Sequence, residues 1–210
     1  MRILDASGKD WLEAALAHLS GGGVIAVPTE TVYGLAARLD PAAVNRLYAL
    51  KGRASGKALP LQMDSVERAL DWGFEFSAPA RRLAEHFWPG PLTLLLNRPK
   101  QCPAWFAPDT PLVALRIPDH LVVLELLGAV GEPLAVTSAN RSGEPECLHA
   151  GDVVRTFEGA DDLLVLDRGD ATGGIASTVA DASGPELQVI REGPIGWTEI
   201  IRYWRGVGQR

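Results

Sequence analysis

The sequence predicts an α/β domain built on a mixed β-sheet flanked by helices. Short apolar runs rich in Val, Ile and Leu recur along the chain, separated by stretches whose apolar residues keep helical spacing. The last two runs, Ser177–Asp181 and Leu187–Arg191, flank Ser183-Gly184-Pro185, a hairpin signal, so the sheet is not purely parallel. Polar clusters follow the runs Val24–Val27 and Pro133–Thr137, and open α/β sheets bind ligands at the carboxyl ends of strands. With 210 residues, 47% hydrophobic and 22% charged, the chain suits one domain over residues 1–210, and no Ser/Gly-rich or charge-rich linker divides it.

The elements follow in order. Asp10–Leu19 reads as an amphipathic helix, with Trp11, Leu12, Ala15, Leu16 and Leu19 at helical spacing. Gly21-Gly22-Gly23 stops it. Glycines between helix and strand are a turn, since phosphate loops run strand, glycines, helix. Val24–Val27 is a buried strand that Pro28 ends, and Thr29, Glu30, Thr31 and Tyr33 follow it. Asp40-Pro41 opens a helix as cap and first residue, with Val44, Leu47, Tyr48 and Leu50 inward. Lys51, Arg53 and Lys57 come next. Either they offset the helix dipole and face water, or they form an anion site with nearby hydroxyls. Leu59–Met63 reads as a return strand, completing a β-α-β unit.

Asp64-Ser65-Val66-Glu67 is a capping box that starts a short helix, and Ser77-Ala78-Pro79 starts another that runs to Phe87. Trp88-Pro89-Gly90-Pro91 is a rigid turn before the strand Leu92–Leu96. In the loop Lys100–Thr110, Trp105 and Phe106 are expected to plug the core rather than stack on a base. Leu112–Ile117 is a strand with Arg116 inside it, and a buried arginine must find an anion or carbonyls. Asp119 caps a helix through Leu127. Ser138–Gly143 ends the strand Pro133–Thr137. A helix over 151–157, the strand Leu163–Leu166, a glycine loop over 169–174 and a last helix, Ile195–Trp204, complete the reading.

Several function classes are excluded. The net charge of −6 argues against a general nucleic-acid surface. Cys102 and Cys147 are far apart and form no C-x-x-C, and Cys147-x-His149 is too sparse for zinc, so no metal site is expected. The N-terminus lacks an apolar leader, and no run approaches the ~20 apolar residues of a membrane span, which points to the cytoplasm and no membrane. Asn140-Arg141-Ser142 fits a glycosylation sequon but reads better as a ligand loop. No Walker, dinucleotide, zincin or nucleophile-elbow motif appears, and no histidine lies near the polar clusters. What remains is Lys51, Arg53, Lys57, Arg116 and Arg191 with Thr29, Thr31, Ser138, Asn140 and Ser177. These residues suit chemistry done by positioning and charge neutralisation, such as nucleotidyl transfer.

PTETVYGL (residues 28–35) followed by Lys51-Gly52-Arg53, then Ser138-Ala139-Asn140, Ser177-Thr178-Val179-Ala180-Asp181 and Arg191-Glu192-Gly193-Pro194, resembles the YrdC-like threonylcarbamoyl-AMP synthase family. The resemblance implies a twisted mixed sheet around a basic concave cleft. It implies an L-threonylcarbamoyladenylate synthase: L-threonine, bicarbonate and ATP, with Mg2+ on the nucleotide, give threonylcarbamoyl-AMP and pyrophosphate. A tRNA-modifying transferase complex would then transfer the group to an adenosine beside the anticodon. By position, Lys51 and Arg53 become catalytic. Arg53, Lys57, Leu112, Ser138, Asn140, Glu146 and Arg191 become nucleotide contacts. Thr31, Gln62, Arg116, Val136 and Ser177 become threonine contacts, with Arg116 gripping the carboxylate as a bidentate fork.

The sequence departs from the family pattern at two places. Gln62 stands where some members have histidine, and Ala176 where a carboxylate or proline is common, and both bear on amino-acid selectivity. The chain is expected to be the short form, without the extra C-terminal domain of longer members. A carbamoyl-adenylate-forming relative is the first alternative, but it carries cysteine-rich segments that two cysteines cannot supply. A non-catalytic double-stranded RNA or tRNA module with weak RNA binding is the second, and steep salt dependence would reveal it.

Overall fold

The computed structural model describes residues 1–53 and 58–206. Lys57, an expected nucleotide contact, lies outside the described residues. Ten strands form one mixed sheet: β1 (Arg2–Asp5), β2 (Val24–Val27), β3 (Gly34–Arg38), β4 (Leu61–Gln62), β5 (Leu92–Asn97), β6 (Leu112–Arg116), β7 (Leu134–Ser138), β8 (Leu163–Asp167), β9 (Thr178–Asp181) and β10 (Gln188–Arg191). Their order across the sheet is β1-β8-β2-β3-β7-β4-β6-β5-β9-β10. β8 runs parallel to both β1 and β2, β4 parallel to β6, and β5 parallel to β9; the other neighbours are antiparallel. The helices are α1 (Trp11–Ser20), α2 (Pro41–Lys51), α3 (Val66–Asp71), α4 (Ala78–Phe87), α5 (Leu121–Val130), α6 (Ala150–Thr156) and α7 (Trp197–Trp204).

The expected β-α-β unit is corrected. β2 turns straight back into β3, antiparallel, before α2 begins. The reading missed β3 because Gly34-Leu35-Ala36-Ala37 has small residues where strand propensity wants branched ones. β1 was missed because its side chains are mostly exposed, leaving no apolar run to read. The return strand shrinks to β4, held between β7 and β6. Two caps move by one residue. Ser65, not Asp64, caps α3 by accepting the Arg68 N–H, and His120, not Asp119, is the cap position of α5. Asp40 caps α2 as expected, accepting from the N–H groups of Ala42 and Ala43. Of the two loop aromatics, Phe106 plugs the core while Trp105 stays 39% exposed against its edge.

Side chains alternate across β2. Val24 and Ala26 join the larger core, with Val44 and Leu47 of α2, Leu83 of α4, Val153 of α6 and Ile200 of α7. Ile25 and Val27 join a smaller core on the other face, with Trp11, Ala15 and Leu19 of α1 and Val122, Val123, Leu126 and Leu127 of α5. A strand buried on both faces reads as an unbroken apolar run, which is why β2 was legible. The smaller core includes β8, β2, β3 and β7 but no residue of β4, β5, β6 or β9. That half of the second face is therefore open, and the site lies on it.

Thr178, fully buried at the start of β9, ties this region to the C-terminal segment. Its hydroxyl donates to Ile195 O at 2.8 Å and accepts the N–H groups of Gly193 and Ile195 at 2.9 and 3.1 Å. Thr178→Val keeps the shape and strands both donors, so it should destabilise by about 2 kcal/mol or more in urea unfolding. A loss below about 0.5 kcal/mol would show that those donors find other partners.

Candidate active site on the open sheet face

A cavity of about 440 Å3 sits on the uncovered strands. Gln62 of β4 pairs in register with Arg116 of β6, and Thr93 of β5 with Val179 of β9, so these four rise from neighbouring strands into its floor. Thr31 after β2, Ser138 at the end of β7, Ser177 before β9 and Arg191 ending β10 form the walls. Strand ends supply only part of the site, because the gap in helix cover exposes strand interiors as well.

Lys51, at the last turn of α2, is 5% exposed. Its ammonium donates to Ser138 O and Asn140 Oδ1, each at 2.7 Å, and to Ser138 Oγ at 3.3 Å. These partners are neutral, so among the described residues nothing cancels its charge at contact distance. Burial and then Arg53 push it down to about 8, with Glu146 pulling the other way. Asn140 also accepts from Ser138 Oγ at 2.7 Å and donates to Glu144 O at 2.6 Å. Its amide is thus committed to holding Lys51 and its own loop.

Arg116, 6% exposed, is answered differently. Its Nη2 donates to Glu30 Oε1 at 2.6 Å and Thr31 Oγ1 at 3.1 Å, and its Nε to Gly90 O at 3.1 Å. Burial lowers its pKa, and Glu30 opposes that. Both the expected anion and the expected carbonyl are therefore found within the protein. In this structure no bidentate fork is free toward a ligand: each pair of adjacent nitrogens includes Nη2, whose hydrogens are engaged by Glu30 and Thr31.

Hydroxyls fill the space between the cations. Ser177 Oγ and Thr93 Oγ1 share a hydrogen bond of 2.8 Å, and Thr29 Oγ1 meets Thr31 Oγ1 at 2.8 Å. Thr29 also accepts the N–H groups of Thr31 and Val32. Arg191 clamps Ser177 O through Nη2 at 2.7 Å and Nε at 3.2 Å. Gln62 Oε1 is buried in the wall with no partner among the described residues, an acceptor open to a ligand donor.

Of the expected residues, the cavity gathers Thr31, Lys51, Arg53, Gln62, Arg116, Val136, Ser138, Asn140, Ser177 and Arg191. It does not gather Leu112, which begins β6 at the end opposite Arg116, or Glu146, which acts on Lys51 only through its charge. Thr93 and Glu30 are absent from the expected site residues, and Thr29 stands only among the candidate hydroxyls, with no ligand assigned to it. Glu30 stood in the motif, while nothing in the run Leu92–Leu96 marked Thr93. Among the described residues the wall holds four cations and no carboxylate. Among the described residues, no three His, Cys, Asp or Glu side chains group to hold a metal, and no helix is long and apolar enough to cross a membrane.

A family model described as telomere recombination, covering Sua5, YciO and YrdC, matches residues 17–193. The chain belongs to this Sua5/YciO/YrdC family. Every wall residue, from Thr29 to Arg191, falls inside the family region. Relatives of the chain are named threonylcarbamoyl-AMP synthase, two of them as follows. The one from Pyrococcus abyssi is 35% identical over 194 residues, 91% of this chain. The one from Alkalilimnicola ehrlichii is 42% identical over 152 residues, 72% of this chain. The chain spans 57% of the length of the first and 78% of the second. The crystal structure of P. abyssi Sua5 complexed with L-threonine superposes with a TM-score of 0.88 at 33% identity, covering 98% of this chain and 60% of that one.

The Lys51 environment has a consequence for stability. Its folded pKa is about 8, against 10.5 ordinarily, so the unfolded chain binds the extra proton between those values. Stability from this group is lowest below pH 8 and rises up to pH 10.5. Lys51→Met should flatten that rise when melting temperatures of variant and wild type are compared across the window. Parallel curves would mean that Lys51 is not desolvated.

Proposed function

We propose that this chain is an L-threonylcarbamoyladenylate synthase, using L-threonine, bicarbonate and ATP. The observation that carries this reading is one cavity with two unlike cations. Lys51 is buried without a counter-charge and calls for a polyanion, while Arg116 already has Glu30 and calls for a directional acceptor. The synthase names of its relatives and the threonine complex of P. abyssi Sua5 support the same choice.

Bicarbonate takes up a proton and loses water to give CO2. The threonine ammonium loses a proton to solvent, and the free amine nitrogen bonds to the CO2 carbon and releases a second proton, forming a carbamate. A carbamate oxygen then bonds to the α-phosphorus of ATP as the bond to the β-phosphate bridging oxygen breaks, releasing pyrophosphate. Lys51, Arg53 and Arg191 neutralise phosphate charge. Arg116, Thr31 and Ser177 hold the amino acid, Val136 meets its methyl group, and Gln62 Oε1 accepts from a substrate N–H or O–H. Magnesium arrives on the triphosphate as part of the substrate, since hydroxyls, amides and cations are poor magnesium ligands. The product, a reactive mixed anhydride, goes to a transferase that modifies tRNA, work that belongs in the cytoplasm.

The test is pyrophosphate release with ATP, magnesium and bicarbonate, with and without L-threonine. Threonine-dependent release is expected, and Lys51→Ala should lower kcat by about 100-fold. Arg116→Ala should raise KM for threonine at least about 10-fold while KM for ATP stays within about 3-fold. Release that ignores threonine would sink the reading. A rise confined to KM for ATP would invert the assignment of the two ends.

A further inference from the structure

Glu30 takes no part in the reaction steps above, yet its carboxylate makes the shortest contact that Arg116 has. A guanidinium carries five N–H donors. In Arg116, Nε is spent on Gly90 O, and Nη2 on Glu30 Oε1 and Thr31 Oγ1. Nη1 keeps both its hydrogens among the described residues. A substrate carboxylate therefore meets one nitrogen, aimed by whatever fixes the other two.

Two roles for Glu30 are conceivable. It could occupy the substrate's place and be displaced, or it could steady Arg116 from behind. An internal competitor would have to stand where the substrate goes. Arg116 and Thr31 line the cavity, but Glu30 does not, and its second oxygen, Oε2, is buried without a partner among the described residues. Its backbone is also fixed. Gly174 N–H donates to Thr31 O at 2.9 Å, and Gly173 lies so close that a Cβ there would come within 2.6 Å of Glu30 O. The loop thus clamps the Glu30–Thr31 segment and leaves the carboxylate one task.

We infer that Glu30 is a positioning residue that holds the Arg116 guanidinium from behind, so that the carboxylate of the amino-acid substrate binds Nη1 alone in a fixed direction. This rests on the synthase reading only for the identity of the amino acid. Glu30 also offsets the Arg116 charge, so this end of the cavity selects its ligand by hydrogen-bond direction more than by attraction.

Glu30→Ala and Glu30→Gln separate the contributions. Alanine frees the guanidinium, and glutamine keeps the Oε1 acceptor. KM for threonine should rise about 10-fold in Glu30→Ala, with kcat within about 3-fold, and Glu30→Gln should return KM to within about 3-fold of wild type. The rise in melting temperature that threonine induces reads the same binding without turnover, and should shrink in Glu30→Ala and recover in Glu30→Gln. An unchanged or lowered KM in Glu30→Ala overturns the inference, the lowered value marking a competitor. So does a fall in kcat alone, which would be lost folded protein. A wild type that threonine stabilises without releasing pyrophosphate would sink the synthase reading, while the melting shifts still decide the role of Glu30. A wild type that threonine does not stabilise sinks both.

Discussion

Arg116 is a guanidinium set into the middle of a sheet, and satisfying it shapes its surroundings. Leaving such a cation unpaired costs about 3–5 kcal/mol. Two separate segments converge to prevent this: the turn before β5 through Gly90, and the loop after β2 through Glu30 and Thr31. That loop is itself built around Thr29, which collects two N–H groups and donates to Val32 O at 2.7 Å. The loop is pressed down by Gly173, where any side chain would collide with the backbone. The polar cluster after β2 is thus a support as much as a ligand surface.

The other end of the cavity is supported by a different logic. Lys51 is held by oxygens that are neutral, and a neutral cage offsets burial only in part, which is why its pKa falls. The cage is made by the Ser138-Ala139-Asn140 turn, which Lys51 in turn pins through Ser142 N–H to Lys51 O at 2.9 Å. α2 and β7 are joined at this point. Removing either partner would loosen both the cation and the loop that borders the cavity.

Much of this was legible in the sequence, and the exceptions have physical reasons. β2, buried on both faces, was readable from its run of branched residues, and the Asp40-Pro41 start of α2 from capping chemistry. β3 was not, because strand pairing rather than propensity makes Gly34–Arg38 extended. Its position between β2 and β7 brings Thr31 and Ser138 to one rim, so the missed strand is what joins two motifs that the sequence kept apart. Arg116 was legible as a residue in need of an anion, but which anion depended on register. Thr93 was invisible, since a threonine in an apolar strand gives no signal until Ser177 is brought against it. Leu112 lies outside the cavity lining for a related reason: a strand residue's distance from a site depends on which end of the strand faces it.

On the proposed synthase reading, the two cations explain how one open face would sort a triphosphate from an amino-acid carboxylate. A triphosphate carries several charges and gains most where none is yet compensated, at Lys51. It also restores the proton affinity that burial removes, so binding there and protonation favour each other. An amino-acid carboxylate carries one charge and cannot compete for that end against a polyphosphate. At Arg116 the order reverses. Glu30 has already lowered the attraction, and a bulky polyanion would meet that carboxylate's field without finding a fork to grip. Discrimination follows from whether each buried cation already has its partner, a property set by the loop after β2 rather than by the cations themselves.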